Sequence, residues 1–379
     1  MRDLLTFCEA EQPWLRSMIE TLVGIESPTT DKQAVDTCGR EVARVMREMG
    51  GEVEVMPQAV AGDHVRGVFG EGSQRILLLG HFDTVWDLGQ IERMPIVERS
   101  GRLFGPGIFD MKGGLSIALQ ALRALTSTGW PADLEVTCLW TSDEETGSDT
   151  SRELIEQQAR RSRAVFVFEP ALTGGALKTA RKGVGHFDIR VRGVSAHAGI
   201  DPGSGASAVH ALARLITSLE ALNDHANGTS VNVGVIRGGS RSNVVAEEAF
   251  AEVDVRVARL EDAPRLDEAM RTLRSADARI DVSVAGAIDR PPFERTEAVA
   301  ALFAQARAVA LELGVDLKEG ATGGASDGNF TGALGVPTLD GLGAVGGGAH
   351  ALDEHLELAV LPVRAALAAG LIRSVVRTL

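Results

Sequence analysis

A two-domain α/β protein is the fold class this sequence predicts, with a mostly parallel central sheet in the larger domain and a βαββαβ domain inserted into it. Three observations predict it. Over the first 170 residues, short apolar runs of strand length alternate with helical patterns. From Gly183 to Ala287 the order changes to strand, helix, strand, strand, helix, strand, which is the ferredoxin-like arrangement. The chain of 379 residues also exceeds the size at which one hydrophobic core usually stops growing. Helix and sheet patterning resumes from Glu297, so residues 1–179 and 291–379 form one discontinuous domain and residues 180–290 the other.

Trp14, Leu15, Met18, Ile19, Leu22 and Val23 recur at helical spacing, and Ser27-Pro28 closes that segment. A second helix is expected from about Val35 to Met49, ahead of Gly50-Gly51. Strands follow at 53–56, 65–69 and 76–79, then a helix over 113–125 and fully apolar strands at 134–140 and 164–168. In the inserted domain the expected strands are 184–192, 230–236, 249–258 and 279–285, with helices over 204–222 and 261–274. A glycine-rich loop spans 341–348.

Apolar residues make up 44% and charged residues 24% of the chain, an ordinary balance for a globular enzyme. The net charge of −14 argues against a nucleic-acid partner, which calls for clustered Lys and Arg. Cys8, Cys38 and Cys138 are scattered, odd in number and without a CxxC pair, so neither a thiolate metal site nor a disulfide framework is expected. Buried thiols in a reducing compartment are the plain reading. Asp3 and Glu9 arrive too early for the apolar core of a secretory leader, and no uninterrupted apolar run of 18 residues occurs. A cytoplasmic protein without a membrane span is the expectation.

Five segments concentrate His, Asp and Glu at the ends of expected strands. In Gly80-His81-Phe82-Asp83, the two polar residues lie on one side of an extended chain, so one can ligate a metal while the other holds it in place. Asp110, in Gly105-Pro106-Gly107-Ile108-Phe109-Asp110-Met111-Lys112-Gly113-Gly114, reads by itself as a helix N-cap. Asp143-Glu144-Glu145 places three acids directly after a buried strand; a helix first turn would explain it, and so would a dication offsetting their repulsion. Glu169 ends another apolar strand, and His350 ends the glycine-rich loop. Together these supply two His and three carboxylates beyond a base, at sheet ends where α/β proteins bind ligands. Nitrogen and oxygen ligation without thiolate suits zinc, with cobalt or manganese as substitutes.

The strings HFDTV, GPGIFDMKGG, TSDEETGS, FEP, SAHAG and GGASDG resemble, in this order, the aminoacylase/carboxypeptidase di-zinc metallopeptidases, with the overall pattern nearest the glutamate-carboxypeptidase branch and with succinyl-diaminopimelate desuccinylases among the relatives. The resemblance runs nearly the whole chain. It implies a phosphorylase/hydrolase-like zinc-peptidase catalytic domain and a lid that also dimerises. It implies two Zn2+ per chain, one held by His81, Asp110 and Glu169 and the other by Asp110, Glu145 and His350. Glu144 resembles the general base that activates a water shared by the metals, and Asp83 the partner of His81. The peptide bond after the bridging aspartate, here Asp110–Met111, is typically cis in this family.

In the lid, His197 of Ser195-Ala196-His197-Ala198-Gly199 resembles a histidine that polarises the oxyanion in the partner subunit's site, though by itself it reads as a surface-loop histidine. Asn243 matches a substrate-contacting position. Arg256 matches the arginine that grips the substrate carboxylate, for which a bidentate, always-charged fork is suited; a solvent-facing strand arginine is the competing reading. Arg290, before Pro291-Pro292, and Gly324, in Gly323-Gly324-Ala325-Ser326-Asp327-Gly328, are further binding candidates, and Asp327 reads equally as structural. The reaction implied is hydrolysis of an N-acyl amino acid or C-terminal amide, by a homodimer. Thr179-Ala180-Arg181-Lys182-Gly183, entering the lid, is shared as much with aminoacylase relatives, which leaves the amino acid open. A dipeptidase or aminoacylase of the same superfamily is the alternative, and a metal-free binding protein the remaining one.

Overall fold

The computed structural model of the chain describes residues 1–378; residue 379 lies outside them. The chain divides into one unit of Met1–Ala180, Arg295–Ala321 and Ser326–Leu379, and a second of Arg181–Glu294 with Thr322–Ala325. The second unit thus extends past the 180–290 span and takes in a short return of the chain.

The first unit is built on a six-stranded sheet. Its centre is Gln74–His81, whose Ile76, Leu77, Leu78 and Leu79 are fully buried on both faces. Such a strand needs neighbours on either side and cover above and below. Parallel neighbours Leu134–Thr141 and Ala164–Val167 supply the first. Thr338–Leu339 continues the parallel set beyond Ala164–Val167. On the other edge, His64–Phe69 and Glu52–Met56 run antiparallel, an edge the apolar pattern does not announce. Parallel strands set side by side present their carboxyl ends together, and this is where His81, Asp143 and Glu169 emerge.

Cover comes from helices. Gly113–Thr128 is buried on every face from Gly113 to Leu122, as befits a helix with Leu115, Ile117, Leu119 and Leu122 and almost no charge. Lys32–Glu48 starts where the Asp31 carboxylate accepts from Ala34 N at 3.0 Å, and its apolar stripe Val35, Cys38, Val42 and Val45 faces the core. Cys8, Cys38 and Cys138 are buried free thiols.

The C-terminal helix Leu361–Thr378 is apolar enough over Leu358–Val376 to have the length and composition of a membrane span, although Arg364 and Arg373 interrupt the apolar run. It is mostly buried, as a core helix is. Arg364 shows why a cation is tolerated inside: its guanidinium donates to the carbonyls of Gly343 (3.0 Å), Gly175 (2.9 Å) and Gly341, tying down the glycine-rich loop. Burial lowers Arg364 to about 10, so it stays charged at neutral pH. Arg364→Leu is expected to cost on the order of 3 kcal/mol or more, since each orphaned buried carbonyl costs roughly 1–3 kcal/mol. A urea midpoint unchanged from wild type would contradict it.

The second unit contains a four-stranded antiparallel sheet ordered Ser230–Gly238, Glu248–Val257, Gly183–Arg192, Asp281–Arg290. With helices Ala208–Glu220 and Ala263–Arg271 this is the βαββαβ arrangement that the sequence predicts. Burial alternates strictly along 186–192, so Phe187, Ile189 and Val191 join Val253, Val255, Leu212, Leu215, Leu266 and Met270 in one core. Thr322–Ala325 is held here: Lys182 N donates to Thr322 O at 3.0 Å, and Arg181 Nη1 to the carbonyls of Gly324 and Ala325.

Candidate metal centre

The strand Gln74–His81 delivers His81 at its last residue, 1% exposed. Its Nδ1 lies 3.0 Å from the main-chain carbonyl of Asp83 and 3.3 Å from the Asp83 carboxylate. The hydrogen bond therefore goes to the backbone oxygen, with the carboxylate as a near electrostatic partner. Either acceptor keeps the proton of a neutral ring on Nδ1 and turns the Nε2 lone pair into the site. The Asp83 carboxylate is shared further: it accepts from Thr29 Oγ1 at 2.7 Å, Glu145 N at 3.2 Å and Glu144 N at 3.4 Å. One buried residue thus fixes the histidine through its main chain and the backbone of the acidic turn through its side chain.

Asp110 does not cap a helix. It lies in the turn Ile108–Lys112, where Asp110 (φ −116°, ψ 97°) and Met111 (φ −132°, ψ 35°) leave helical geometry, and the Asp110–Met111 peptide bond is cis. The regular helix begins only at Gly113. Gly114 is required here, since a Cβ on it would stand 1.9 Å from the carbonyl oxygen of Phe168. That contact brings the helix start against the strand end that carries Glu169.

The side chains converge in two groups, His81 with Asp110 and Glu169, and Asp110 with Glu145 and His350, each with its ligand atoms within 4.8 Å of one another. His81 Nε2 stands 3.4 Å from Asp110 Oδ1 and 3.6 Å from Glu169 Oε1. His350 Nε2 stands 3.6 Å from Asp110 Oδ2 and 3.4 Å from Glu145 Oε2. Asp110 therefore offers one oxygen to each group. These separations suit a metal: two ligand atoms about 2.0–2.1 Å from one tetrahedral ion lie about 3.3–3.4 Å apart. Asp110 Oδ1 and Glu145 Oε1 are also buried without a hydrogen bond, a costly condition for carboxylate oxygens that a dication would relieve. The residues fit a pair of cations.

Electrostatics point the same way. Burial disfavours charge on His81, but Asp110, Asp83 and Glu169 outweigh it and hold the ring well above the usual histidine range. Asp110 and Glu145 push His350 up to about 10. Burial raises Glu145, with Asp110 and Asp83 adding to it. The cluster is thus an excess of carboxylate seeking positive charge. Glu144 belongs to neither group; its Oε2 lies 4.0 Å from His81 Nε2.

Several supporting residues escape a reading by motif. Ser142 and Thr150 bracket the buried His64, at 2.9 Å from Nδ1 and 3.0 Å from Nε2, beneath the acidic turn. Asp327 is structural: it accepts from Thr141 Oγ1 at 3.0 Å and Ser148 Oγ at 2.5 Å. Glu354, 1% exposed, accepts from Gly107 N, Phe109 N and Asp110 N. An Asp-Glu pair just past His350 is the only sequence sign of it.

The remaining predicted residues lie in the second unit. His197 is exposed, and its Nδ1 accepts from Gly199 N and Ile200 N, both at 3.2 Å, which puts the ring proton on Nε2. Asn243 is exposed, and its carbonyl accepts from Ala198 N at 3.0 Å, so the two loops are stitched together. Arg256 is bidentate to Asp254 at 2.8 Å for both contacts, and Nη1 reaches Gly323 O at 3.3 Å. Arg290 is 7% exposed at the end of its strand. Gly324 uses its carbonyl for Arg181 and its N–H for Thr322 Oγ1 at 3.4 Å.

Comparison with known proteins agrees. Residues 77–374 match the model of peptidase family M20/M25/M40. The chain is 32% identical to carboxypeptidase G2 of Pseudomonas sp. (strain RS-16), over 98% of this chain and 92% of that one. In fold it is similar to the aminopeptidase PepT from Bacillus cereus, with a TM-score of 0.81 at 21% identity, covering 97% of this chain and 99% of that one. It is also similar to the YXEP protein of Bacillus subtilis, a dinuclear metal binding peptidase, with a TM-score of 0.73 at 17% identity and 98% and 100% covered. With the two ligand groups in place, the chain belongs to peptidase family M20/M25/M40 and is a metal-dependent hydrolase of that family.

Proposed function

We propose that this protein is a di-zinc hydrolase that cleaves the amide bond of an N-acyl amino acid or a C-terminal amino acid, acting as a homodimer. The observation that carries the reading is the shared aspartate: Asp110 faces His81 with one oxygen and His350 with the other, and Glu144 stands beside the pair without joining it. His81, Asp110 and Glu169 would hold one ion and Asp110, Glu145 and His350 the other. When bound, such a pair lowers the pKa of water and polarises the attacked carbonyl. Glu144 takes the proton of the attacking water and delivers it to the leaving amine. Asp83 keeps His81 in the tautomer that presents Nε2 and fixes the backbone of Glu144.

Arg256 is assigned to the free carboxylate of the substrate, for which Asp254 holds the guanidinium plane in place. Arg256→Ala is expected to raise KM about 10- to 100-fold for substrates with a free carboxylate, with little change on carboxamide-blocked analogues. Equal loss on both would remove that role. His197, with its proton on Nε2, is suited to donate to a developing oxyanion, and the homodimer reading assigns that donation to the partner's site. Mixed dimers of His197→Ala and Glu144→Ala chains should then recover activity that neither parent shows, because one of the two hybrid sites is intact. Absence of recovery in verified heterodimers counts against donation in trans.

Support for dimerisation comes from the outer strand Ser230–Gly238, which among the described residues has no strand on its far side and exposes Ile236. The overall reading is tested by hydrolysis of a panel of N-acyl amino acids and dipeptides by chelated protein restored with zinc. Zinc-dependent release of one class of amino acid is the expected result. Turnover that survives complete chelation would overturn it. Preference for dipeptides with a free amine over N-acylated ones would favour the dipeptidase alternative.

A further inference from the structure

Glu354 is a buried carboxylate in the first unit, and three of its four donors lie on the turn that carries Asp110 or just ahead of it. Oε1 accepts from Phe109 N at 2.9 Å and Asp110 N at 3.0 Å, and Oε2 from Gly107 N at 2.9 Å and Trp86 Nε1 at 2.8 Å. Four donors fill the lone pairs of one carboxylate, two to each oxygen. The turn has no regular ladder to satisfy its N–H groups, because Asp110 and Met111 are not helical. Nested backbone N–H groups of this kind make a site for an anion, here supplied from within the chain.

The backbone of Glu354 is itself fixed. Glu354 N donates to Ala351 O at 3.0 Å, its carbonyl accepts from Gly105 N at 3.3 Å, and the following strand His355–Glu357 pairs with Arg102–Phe104. His350 lies just ahead in the same loop, at φ +60°, in the left-handed region that only a well-held residue adopts. One side chain therefore joins the loop of His350 to the turn of Asp110, two residues of one ligand group.

Building on the metal-centre reading, we infer that Glu354 is a positioning residue that sets where the shared Asp110 carboxylate stands relative to His350. It contacts neither substrate nor reacting atoms and acts through Asp110. Glutamine cannot replace it: an amide has one acceptor oxygen, and its NH2 would face two N–H groups.

The test is metal binding by the purified full-length protein, titrated with zinc against a chromophoric chelator, with the visible spectrum of the cobalt-loaded protein as second readout. Glu354→Gln is expected to weaken at least one ion by about 10- to 100-fold and to alter the cobalt spectrum. Trp86→Phe removes one of the four donors at a partly exposed position and is expected to weaken the same ion about threefold. A purely structural role would lower the melting temperature and leave the folded fraction with wild-type affinity and spectrum. That result in folded Glu354→Gln overturns the inference; should that variant not fold, wild-type affinity and spectrum in Trp86→Phe overturn it. Wild-type protein that fails to take up two ions refutes the metal-centre reading itself, an outcome visible before any variant is made.

Discussion

Glu144→Ala is expected to lower kcat by about 10²–10⁴-fold while the protein still binds two metal ions per chain. The two halves of this result follow from separate features. Glu144 is in neither ligand group, so its loss leaves both groups complete. Its backbone is held by Asp83 through Glu144 N, a bond that truncation of the side chain does not touch. The position of Glu145, which does belong to a group, is therefore preserved. What disappears is a carboxylate able to accept a proton beside the metals, and general-base catalysis has that size of effect. Metal content by elemental analysis and kcat on the best substrate of the panel check it together. Wild-type turnover would remove Glu144 from its role, and loss of metal would make it a ligand instead.

Asp110→Ala is expected to be the more drastic change, leaving less than one ion per chain and no measurable turnover. Asp110 is the single residue common to both groups, and its two oxygens face different histidines. The change also has a signature in stability. Burial opposes charge on Asp110, but His350 and His81 outweigh it and hold the carboxyl well below the usual carboxylate range, so in metal-free protein its removal takes the counter-charge from two cationic rings. Metal-free Asp110→Ala should melt below the metal-free wild type at neutral pH. Wild type should gain melting temperature with added zinc by mass action, whereas the variant should not respond. A zinc-dependent rise in the variant equal to that of wild type would sink the shared-ligand assignment.

Much of the fold is legible in the residue pattern. Leu77, Leu78 and Leu79 form a run that only a strand covered on both faces can bury, and the alternation of Phe187, Ile189 and Val191 with charged residues marks a strand covered on one. Those patterns are local and periodic, so they survive in the sequence. The residues that converge in the two groups around Asp110 are legible for a different reason. Each sits at a strand end or in a glycine turn, where an acid or histidine is conspicuous against apolar flanks, as with Glu169 after Val165-Phe166-Val167-Phe168.

Asp110 shows where local reading fails. Its glycine-rich flank and the helix behind it suggest an N-cap, but a cap satisfies a helix's free N–H groups with its own side chain. Here the N–H groups of Phe109 and Asp110 are met by Glu354 from 245 and 244 residues away, which frees the Asp110 carboxylate to face two histidines. Arg364 is a second case: a cation in an apolar helix reads as an interruption, and its three carbonyl partners come from loops outside that helix.

Side-chain type and periodicity are properties of short segments, and they suffice to specify the α/β class, the βαββαβ strand and helix order and the acids and histidines that converge around Asp110. Which oxygen of Asp110 faces which histidine, that His81 bonds the main chain of Asp83, and that Glu354 holds the Asp110 turn are settled only in the folded chain. Those facts depend on distances between segments far apart in sequence, and close packing of the whole molecule sets such distances.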